Sequence, residues 1–335
     1  MIKNKVIKKI AILTSGGDCP GMNTAIYSLV EQSLYFGYKP YLVYEGYKGL
    51  VEDNIKLANL SETKKNSILG GTFIYSARLP EFKELNVRQK AANNLIKRGI
   101  DTLFVIGGDG SYQGARLLSK LKINCIGLPG TIDNDISSTD FTIGFYTALD
   151  SIDQALIKNN HTAISHDRVT ILEAMGRYCA DLSFYSGIAN NADLIITHEN
   201  PMSAETIAKK VKEAYKKDKN RRTYLIVVSE RLYGTNKYQS LEEIGQTILK
   251  ETNKIVNINR LGYLQRGGNP NAMDRILAMQ LGHYAVNLIH KNKKNRVVGI
   301  KDNKIVDYDF DYALSMKNQN RKKEILQFNL IKEEV

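Results

Sequence analysis

The sequence predicts an α/β protein, built as two doubly wound lobes of mainly parallel sheet flanked by helices, with the active site in the cleft between them. Three observations predict it. Short β-branched apolar runs alternate with amphipathic stretches, as parallel sheets covered by helices on both faces require. Glycine-rich or polar segments directly follow six of those runs, where ligands sit in open α/β sheets. The 335 residues suffice for two domains.

The strand candidates, in order, are 9–14 (KIAILT), 39–44 (KPYLVY), 101–107 (DTLFVIG), 123–128 (INCIGL), 168–174 (RVTILEA), 192–197 (ADLIIT), 223–229 (TYLIVVS) and 255–261 (IVNINRL). Helical patterns lie at about 21–36, 87–98, 111–121, 143–158, 203–217, 240–253 and 272–290. The expected division is 1–140 for one lobe and 141–300 for the other. The C-terminal segment, about 300–335, is a candidate to return to the first.

Composition narrows the function. Hydrophobic residues are 43% and charged residues 24%, ordinary for a globular protein. The net charge of +12 has two readings, attraction of anionic ligands or a merely basic surface. The densest basic stretch, 209–222, carries Val211 and Tyr215 at helical spacing from Ile207 just before it, so its charges form a solvated helix face. No nucleic-acid recognition motif or aromatic stacking platform accompanies it. Cys19, Cys125 and Cys179 are far apart and form no C-x-x-C pair, which points to reduced thiols rather than a zinc site or disulfide framework. The N-terminus reads as a first strand rather than a signal peptide, and no apolar run has the length of a bilayer span. A cytoplasmic soluble protein is expected.

The segments after the strands carry the chemistry. TSGGDCPGMN (14–23) places two glycines after a strand and Pro20 near the following helix. Such a turn lets backbone N–H groups approach a phosphate, though a tight turn without a ligand has the same pattern. GGDGS (107–111) surrounds Asp109 with glycines; beside a polyphosphate this carboxylate would hold Mg²⁺, or it caps the next helix. GLPGTIDND (127–135) brings Asp133 and Asp135 together with no neighbouring cation. A carboxylate can take the proton from an alcohol during phosphoryl transfer. Asp133 suits that role, Thr131 a phosphate or hydroxyl contact, and Asp135 the orientation of its neighbours. The cations come from Arg78, Arg168, Arg177 and Arg266, whose planar forks match phosphate oxygens. Each alone is as well explained by a surface salt bridge.

Taken together, TSGGDCPGMN, GGTFIYSAR, GGDGS, GLPGTIDND, TIGFYTAL, EAMGRY and LGYLQRGGNPNAMDR resemble the bacterial ATP-dependent 6-phosphofructokinases, collinearly over residues 8 to about 310. The resemblance implies phosphoryl transfer from MgATP to the 1-hydroxyl of fructose 6-phosphate, the committed step of glycolysis, in a homotetramer whose active and effector sites are shared between subunits. It assigns Gly16, Arg78, Gly108, Asp109, Gly110 and Ser111 to ATP, with Asp109 at the magnesium position. Asp133 matches the proton acceptor, Thr131 and Asp135 its neighbours, and Arg177 the arginine that stabilises the transferring phosphoryl. Met175, Gly176 and Glu230 match sugar contacts; Arg168 and Arg266 match contacts to the sugar phosphate. Pyrophosphate-dependent relatives typically carry Asp and Lys at the positions of Gly110 and Gly130, so ATP is favoured.

The chain also departs from the family. Asn257 stands where a third phosphate-binding arginine is usual, and Tyr263 where a histidine is. Arg260 is three residues on, an offset that points to the opposite face of a strand. Losing a charge-assisted contact costs ~1.5–3 kcal/mol, which means a raised KM for fructose 6-phosphate or a different sugar phosphate. YSAR replaces the GSAR of many members, placing Tyr75 beside the nucleotide arginine. Tyr27, Glu31, Asn54 and Asn160 replace effector-binding arginines, and Asp193 a glutamate, while the basic run 216–222 remains. Activation by ADP and inhibition by phosphoenolpyruvate are expected to be absent. The alternatives are a kinase of another sugar phosphate and a catalytically silent nucleotide-binding paralogue.

Overall fold

The computed structural model describes residues 8–317 and 320–334. Its strands are β1 (Lys9–Thr14), β2 (Lys39–Val43), β3 (Ile55–Leu57), β4 (Ile100–Gly107), β5 (Asn124–Pro129), β6 (Arg168–Ala174), β7 (Leu194–Ile196), β8 (Thr223–Ser229), β9 (Val256–Arg260), β10 (Arg296–Lys301) and β11 (Lys304–Asp309). The helices are α1 (Met22–Tyr35), α2 (Gly46–Val51), α3 (Leu60–Asn66), α4 (Leu85–Lys97), α5 (Asp109–Ser119), α6 (Phe145–His166), α7 (Asp181–Ala189), α8 (Ala204–Lys217), α9 (Leu241–Thr252), α10 (Ala272–His290), α11 (Phe310–Ser315) and α12 (Lys322–Glu334).

The chain folds into two compact units. The first runs to Thr147 and resumes at Arg266; the second runs from Ala148 to Gln265 and takes the C-terminal helix α12. In the first unit the strand order is β11-β10-β5-β4-β1-β2-β3. The five strands from β10 to β2 are parallel, and antiparallel β3 and β11 close the edges. Central β1 is apolar through Ile10–Leu13 and wholly buried, because helices cover both of its faces. Leu13, Val43, Leu103 and Val105 pack with Tyr47, Leu95 and Leu118 of α2, α4 and α5; each such side chain contributes ~1.5–3 kcal/mol of burial.

The second unit holds a wholly parallel sheet, β7-β8-β6-β9. Val169, Ile171, Ile226 and Val228 meet Ile207 and Val211 of α8 and Ile244 and Ile248 of α9. Ser203 caps α8, and a Ser240–Glu243 capping box starts α9. The basic stretch of α8 is its outer face: Lys209 pairs with Glu213 on the same helix, and Lys212 with Glu251 of α9.

The units differ in bounds from the expected 1–140 and 141–300. Helix α10 belongs to the first unit because it lies along α1, where Ser28 Oγ donates to Met279 O at 2.8 Å. The segment from about 300 divides. β11 and α11 lie in the first unit, whereas Asn329 of α12 clamps β7, accepting from Ile195 N at 2.9 Å and donating to Ile195 O at 2.8 Å. The hairpin β10–β11 is an addition to the expected strands. Its two-residue turn, Asp302–Asn303, has φ of 50° and 59°, the left-handed pair that a tight hairpin needs.

Two helix glycines carry opposite expectations. A Cβ on Gly49 in α2 would lie 1.6 Å from Tyr44 O, whereas on Gly245 in α9 it would meet Val256 and Ile258 at an ordinary 3.5 Å. Urea denaturation should show Gly49→Ala destabilised by at least ~1–3 kcal/mol. Gly245→Ala should be stabilised by up to ~1 kcal/mol, the helix preference of alanine.

Candidate active site

In the first unit, the loops that leave β1, β4 and β5 are joined by main-chain hydrogen bonds. Ser15 N donates to Ile106 O at 2.9 Å and Gly130 N to Gly107 O at 3.1 Å. Ser111 Oγ reaches Ser15 O at 3.1 Å, and Ser76 Oγ reaches Gly16 O at 2.7 Å. Gly16, the Gly108–Ser111 turn, Thr131 and the segment leading to Arg78 are therefore held together at the carboxyl ends of these strands. Helix α5 begins here, with Gly108 at the cap position and Asp109, exposed, one residue inside. A side chain on either Gly108 or Gly110 would meet nothing within 4 Å. Open backbone at a helix N-terminus is the local arrangement that receives phosphate.

Residues 131–136 alternate in burial. Ile132, Asn134 and Ile136 point inward, and Thr131, Asp133 and Asp135 are half-exposed. All three predicted residues are thus partly accessible. Asn134 sets this geometry: its φ is +52°, its Oδ1 accepts from Thr142 N at 2.9 Å, and its Nδ2 donates to Asp140 O at 3.0 Å. Asp133 N in turn donates to Thr131 Oγ1 at 3.2 Å. Arg266 lies against the first glycine turn. A Cβ on Gly17 would stand 1.5 Å from its Nη2, and its Nε donates to Asp18 O at 3.3 Å.

Asp274, which no motif in the sequence singles out, is buried and anchors the start of α6. It accepts from Gly144 N at 2.8 Å, Thr147 N at 2.7 Å and Thr147 Oγ1 at 2.5 Å. Burial raises its carboxyl above the usual carboxylate range, outweighing the downward pull of those bonds. Burial likewise pushes up the nearby Cys19 thiol, with Asp274 adding to it.

In the second unit the exits of β6, β8 and β9 are tied in the same manner. Arg177 N donates to Glu230 Oε1 at 2.8 Å, and Glu230 N to Ala174 O at 2.8 Å. Buried Gln265, not anticipated, accepts from Met175 N at 2.9 Å. Met175, Gly176, Arg177 and Glu230 come together here; Tyr263, on the turn after β9, is exposed.

Arg168 does not sit at a strand exit. It is the first residue of β6 and pairs with Asn257 near the start of β9, its Nη1 donating to Asn257 Oδ1 at 3.2 Å. Six steps of ~3.3 Å put it ~20 Å from the Ala174 end of the same strand. The spacing RVTILEAMGR does not say which end of a strand a residue occupies with respect to a ligand. Arg260 does not replace Asn257: Glu242 holds its guanidinium with bonds of 2.7 and 3.0 Å.

At the expected effector positions, the Tyr27 hydroxyl donates to Glu31, whose other oxygen lies 3.2 Å from His283 Nε2. Asp193 accepts from Arg221 at 2.6 Å and from Leu225 N at 2.7 Å. Among the described residues, no three His, Cys, Asp or Glu side chains cluster as a metal site. A Mg²⁺ held by one carboxylate, phosphate oxygens and water needs no such cluster, and exposed Asp109 beside open Gly108 and Gly110 fits that mode. No helix among them is long and apolar enough to cross a membrane.

Phosphate-suited turns at the strand exits, with carboxylates and arginines among them, mark an α/β protein of the phosphoryl-transfer kind. The phosphofructokinase family model matches residues 9–289. The chain is 44% identical over 309 residues to the ATP-dependent 6-phosphofructokinase of Vibrio cholerae, covering 92% of this chain and 94% of that one. It is 44% identical over 322 residues to the probable ATP-dependent 6-phosphofructokinase of Malacoplasma penetrans, covering 96% and 99%. Among solved structures, phosphofructokinase of Saccharomyces cerevisiae superposes with a TM-score of 0.84 at 32% identity, covering 97% of this chain and 48% of that one. The chain therefore spans about half of the yeast chain. The pyrophosphate-dependent enzyme of Marinobacter aquaeolei shares the fold, with a TM-score of 0.83 at 18% identity. This chain belongs to the phosphofructokinase family and is an enzyme of its phosphoryl-transfer class.

Asp274 yields a pH-dependent test. A carboxyl with a raised folded-state pKa binds its proton more tightly folded than unfolded. Its contribution to stability is therefore fully present below the unfolded value, 3.8, and falls as pH rises through the folded one. Asp274→Asn removes that titration and misdirects one amide. Chemical denaturation should show a loss of ~1–3 kcal/mol at neutral pH, with the gap to wild type widening as pH falls through the acidic window. A narrowing gap would contradict the assignment.

Proposed function

We propose that this protein is an ATP-dependent 6-phosphofructokinase, transferring the γ-phosphoryl group of ATP to the 1-hydroxyl of fructose 6-phosphate. The observation that carries the reading is that the partly accessible Thr131, Asp133 and Asp135 follow Gly130, which is tied to the Gly107–Ser111 turn. An acceptor base and a phosphate-receiving turn are thus held by one backbone network. The related proteins from Vibrio cholerae and Malacoplasma penetrans, named as ATP-dependent, point the same way.

Asp133 accepts the hydroxyl proton as the bond to phosphorus forms, and Thr131 orients the groups around it. The N–H groups of the Gly108–Ser111 turn bind the nucleotide phosphates, with Gly16 and Arg78 alongside. Asp109 would hold Mg²⁺, which would supply charge neutralisation at the phosphates. Arg177 balances charge on the transferring group, and Met175, Gly176, Glu230, Asp135 and Tyr263 position the sugar. Gly110 leaves room for the rest of the nucleotide. Gly130 has no room for a lysine: a Cβ there would lie 2.8 Å from Ile106 Cγ2 and 3.4 Å from Gly107 N. ATP is favoured over pyrophosphate on both counts.

Arg168, Asn257 and Arg266 are assigned to the sugar phosphate. Because Arg168 and Met175 stand at opposite ends of β6, both can serve one small sugar phosphate only if Arg168 comes from a second copy. This supports a homo-oligomer, a tetramer by family resemblance, with shared sites. Asn257 gives that phosphate a neutral amide in place of a cation, and Arg260, bound to Glu242, leaves the deficit standing.

Steady-state velocities with fructose 6-phosphate should show turnover with MgATP and none with Mg-pyrophosphate; the reverse preference would overturn the reading. Asp133→Asn should lower kcat ~10²–10⁴-fold, the usual loss for a general base, with ATP binding little changed. Asn257→Arg should lower the KM for fructose 6-phosphate about tenfold by adding a charge-assisted contact. An unchanged KM would remove position 257 from the phosphate pocket.

A further inference from the structure

Tyr75 stands in a conformation that folding alone does not favour. Its φ is +61°, in the left-handed region that glycine enters freely and an aromatic residue enters at a cost. Its side chain is 62% exposed, so burial does little to offset that cost. The neighbouring backbone leaves it no alternative. Thr14 Oγ1 donates to Tyr75 O at 2.9 Å, Ser76 Oγ to Gly16 O at 2.7 Å, and Glu45 N to Ile74 O at 2.8 Å. The turn is pinned on both sides of Tyr75 to the ends of β1 and β2. A glycine would satisfy it, and the sequence supplies a ring instead.

That ring has company. The Tyr44 and Tyr75 rings lie 6.3 Å apart with their planes at 54°, and Lys56 Nζ sits 4.6 Å from the centroid of Tyr44. Two aromatic side chains thus splay at the exits of β1 and β2. Lys56 engages the Tyr44 ring, while the Tyr75 ring remains mostly open to solvent. The same turn leads to Arg78 and is bonded to Gly16, both assigned above to nucleotide phosphates. A flat, exposed ring beside a phosphate-receiving turn matches a ligand that carries a planar heterocycle on a polyphosphate.

We propose that Tyr75 is a base-binding residue that stacks against the purine of the nucleotide, so that affinity here depends on the base as well as the phosphates. The inference rests on the nucleotide-site reading above. It makes Tyr75 a specificity residue of this chain, present where glycine would be the conformational default.

The test is calorimetric titration of wild type, Tyr75→Gly and Tyr75→Phe with MgATP and, separately, with Mg-tripolyphosphate, which has no base. Tyr75→Gly relieves the left-handed strain, so its denaturation midpoint should match or exceed that of wild type. Its Kd for MgATP should rise about tenfold, the loss expected for one base–aromatic stack, with tripolyphosphate binding unchanged. Tyr75→Phe, which keeps the ring, should recover the affinity lost in Tyr75→Gly. Unchanged MgATP binding in Tyr75→Gly, or equal weakening of both ligands, would overturn the proposal while leaving the nucleotide-site reading intact. Failure of wild type to bind MgATP at all would overturn both.

Discussion

Two main-chain hydrogen bonds that carry the first sheet beyond its strands organise the candidate site in the first unit. They are Ser15 N to Ile106 O at 2.9 Å and Gly130 N to Gly107 O at 3.1 Å. Because β1, β4 and β5 are parallel, their loops must emerge on the same edge, and these bonds convert three loops into one framework. The glycines at 107 and 130 follow from that constraint, since side chains there would strike Ser15 O and Ile106. The carboxylates then stand on a backbone that cannot easily move, which is the condition for positioning a reacting group.

The second unit repeats the logic with different chemistry. Here side chains join the backbone in tying the exits: beside the Glu230 N to Ala174 O bond, Glu230 holds Arg177 N and Gln265 holds Met175 N. The opposite edge of that sheet carries the Arg168–Asn257 pair. One sheet thus carries residues proposed for the substrate at both ends, which is the ground for proposing shared sites.

Much of this is legible in the amino-acid sequence alone. β1, β4, β6 and β8 are buried apolar runs whose burial leaves an unambiguous mark on the sequence. The glycine turns and TIDND are legible because the chemistry is local: contiguous residues at the end of one strand. The half-polar hairpin of β10 and the edge strand β11 is not, although its Asp-Asn turn offers a signal. Asp274 and Gln265 are illegible for a different reason. Each works by bonding backbone far along the chain, Asp274 at Gly144 and Gln265 at Met175, and nothing in AMDR or LQRGG names those partners. Arg168 stands first in β6, as the strand candidate 168–174 has it, but strand spacing carries no information about which end faces a ligand. Unit bounds depend on α10 packing along α1, a contact between segments over two hundred residues apart.

The proposed role of this backbone framework is to deliver a phosphoryl group to a sugar hydroxyl. Phosphorus NMR of a reaction containing the enzyme, fructose 6-phosphate and MgATP tests it most directly. A new phosphomonoester on the sugar 1-position should appear, formed mole for mole with ADP. ADP appearing with inorganic phosphate and no second sugar phosphate, or a spectrum that never changes, would contradict it.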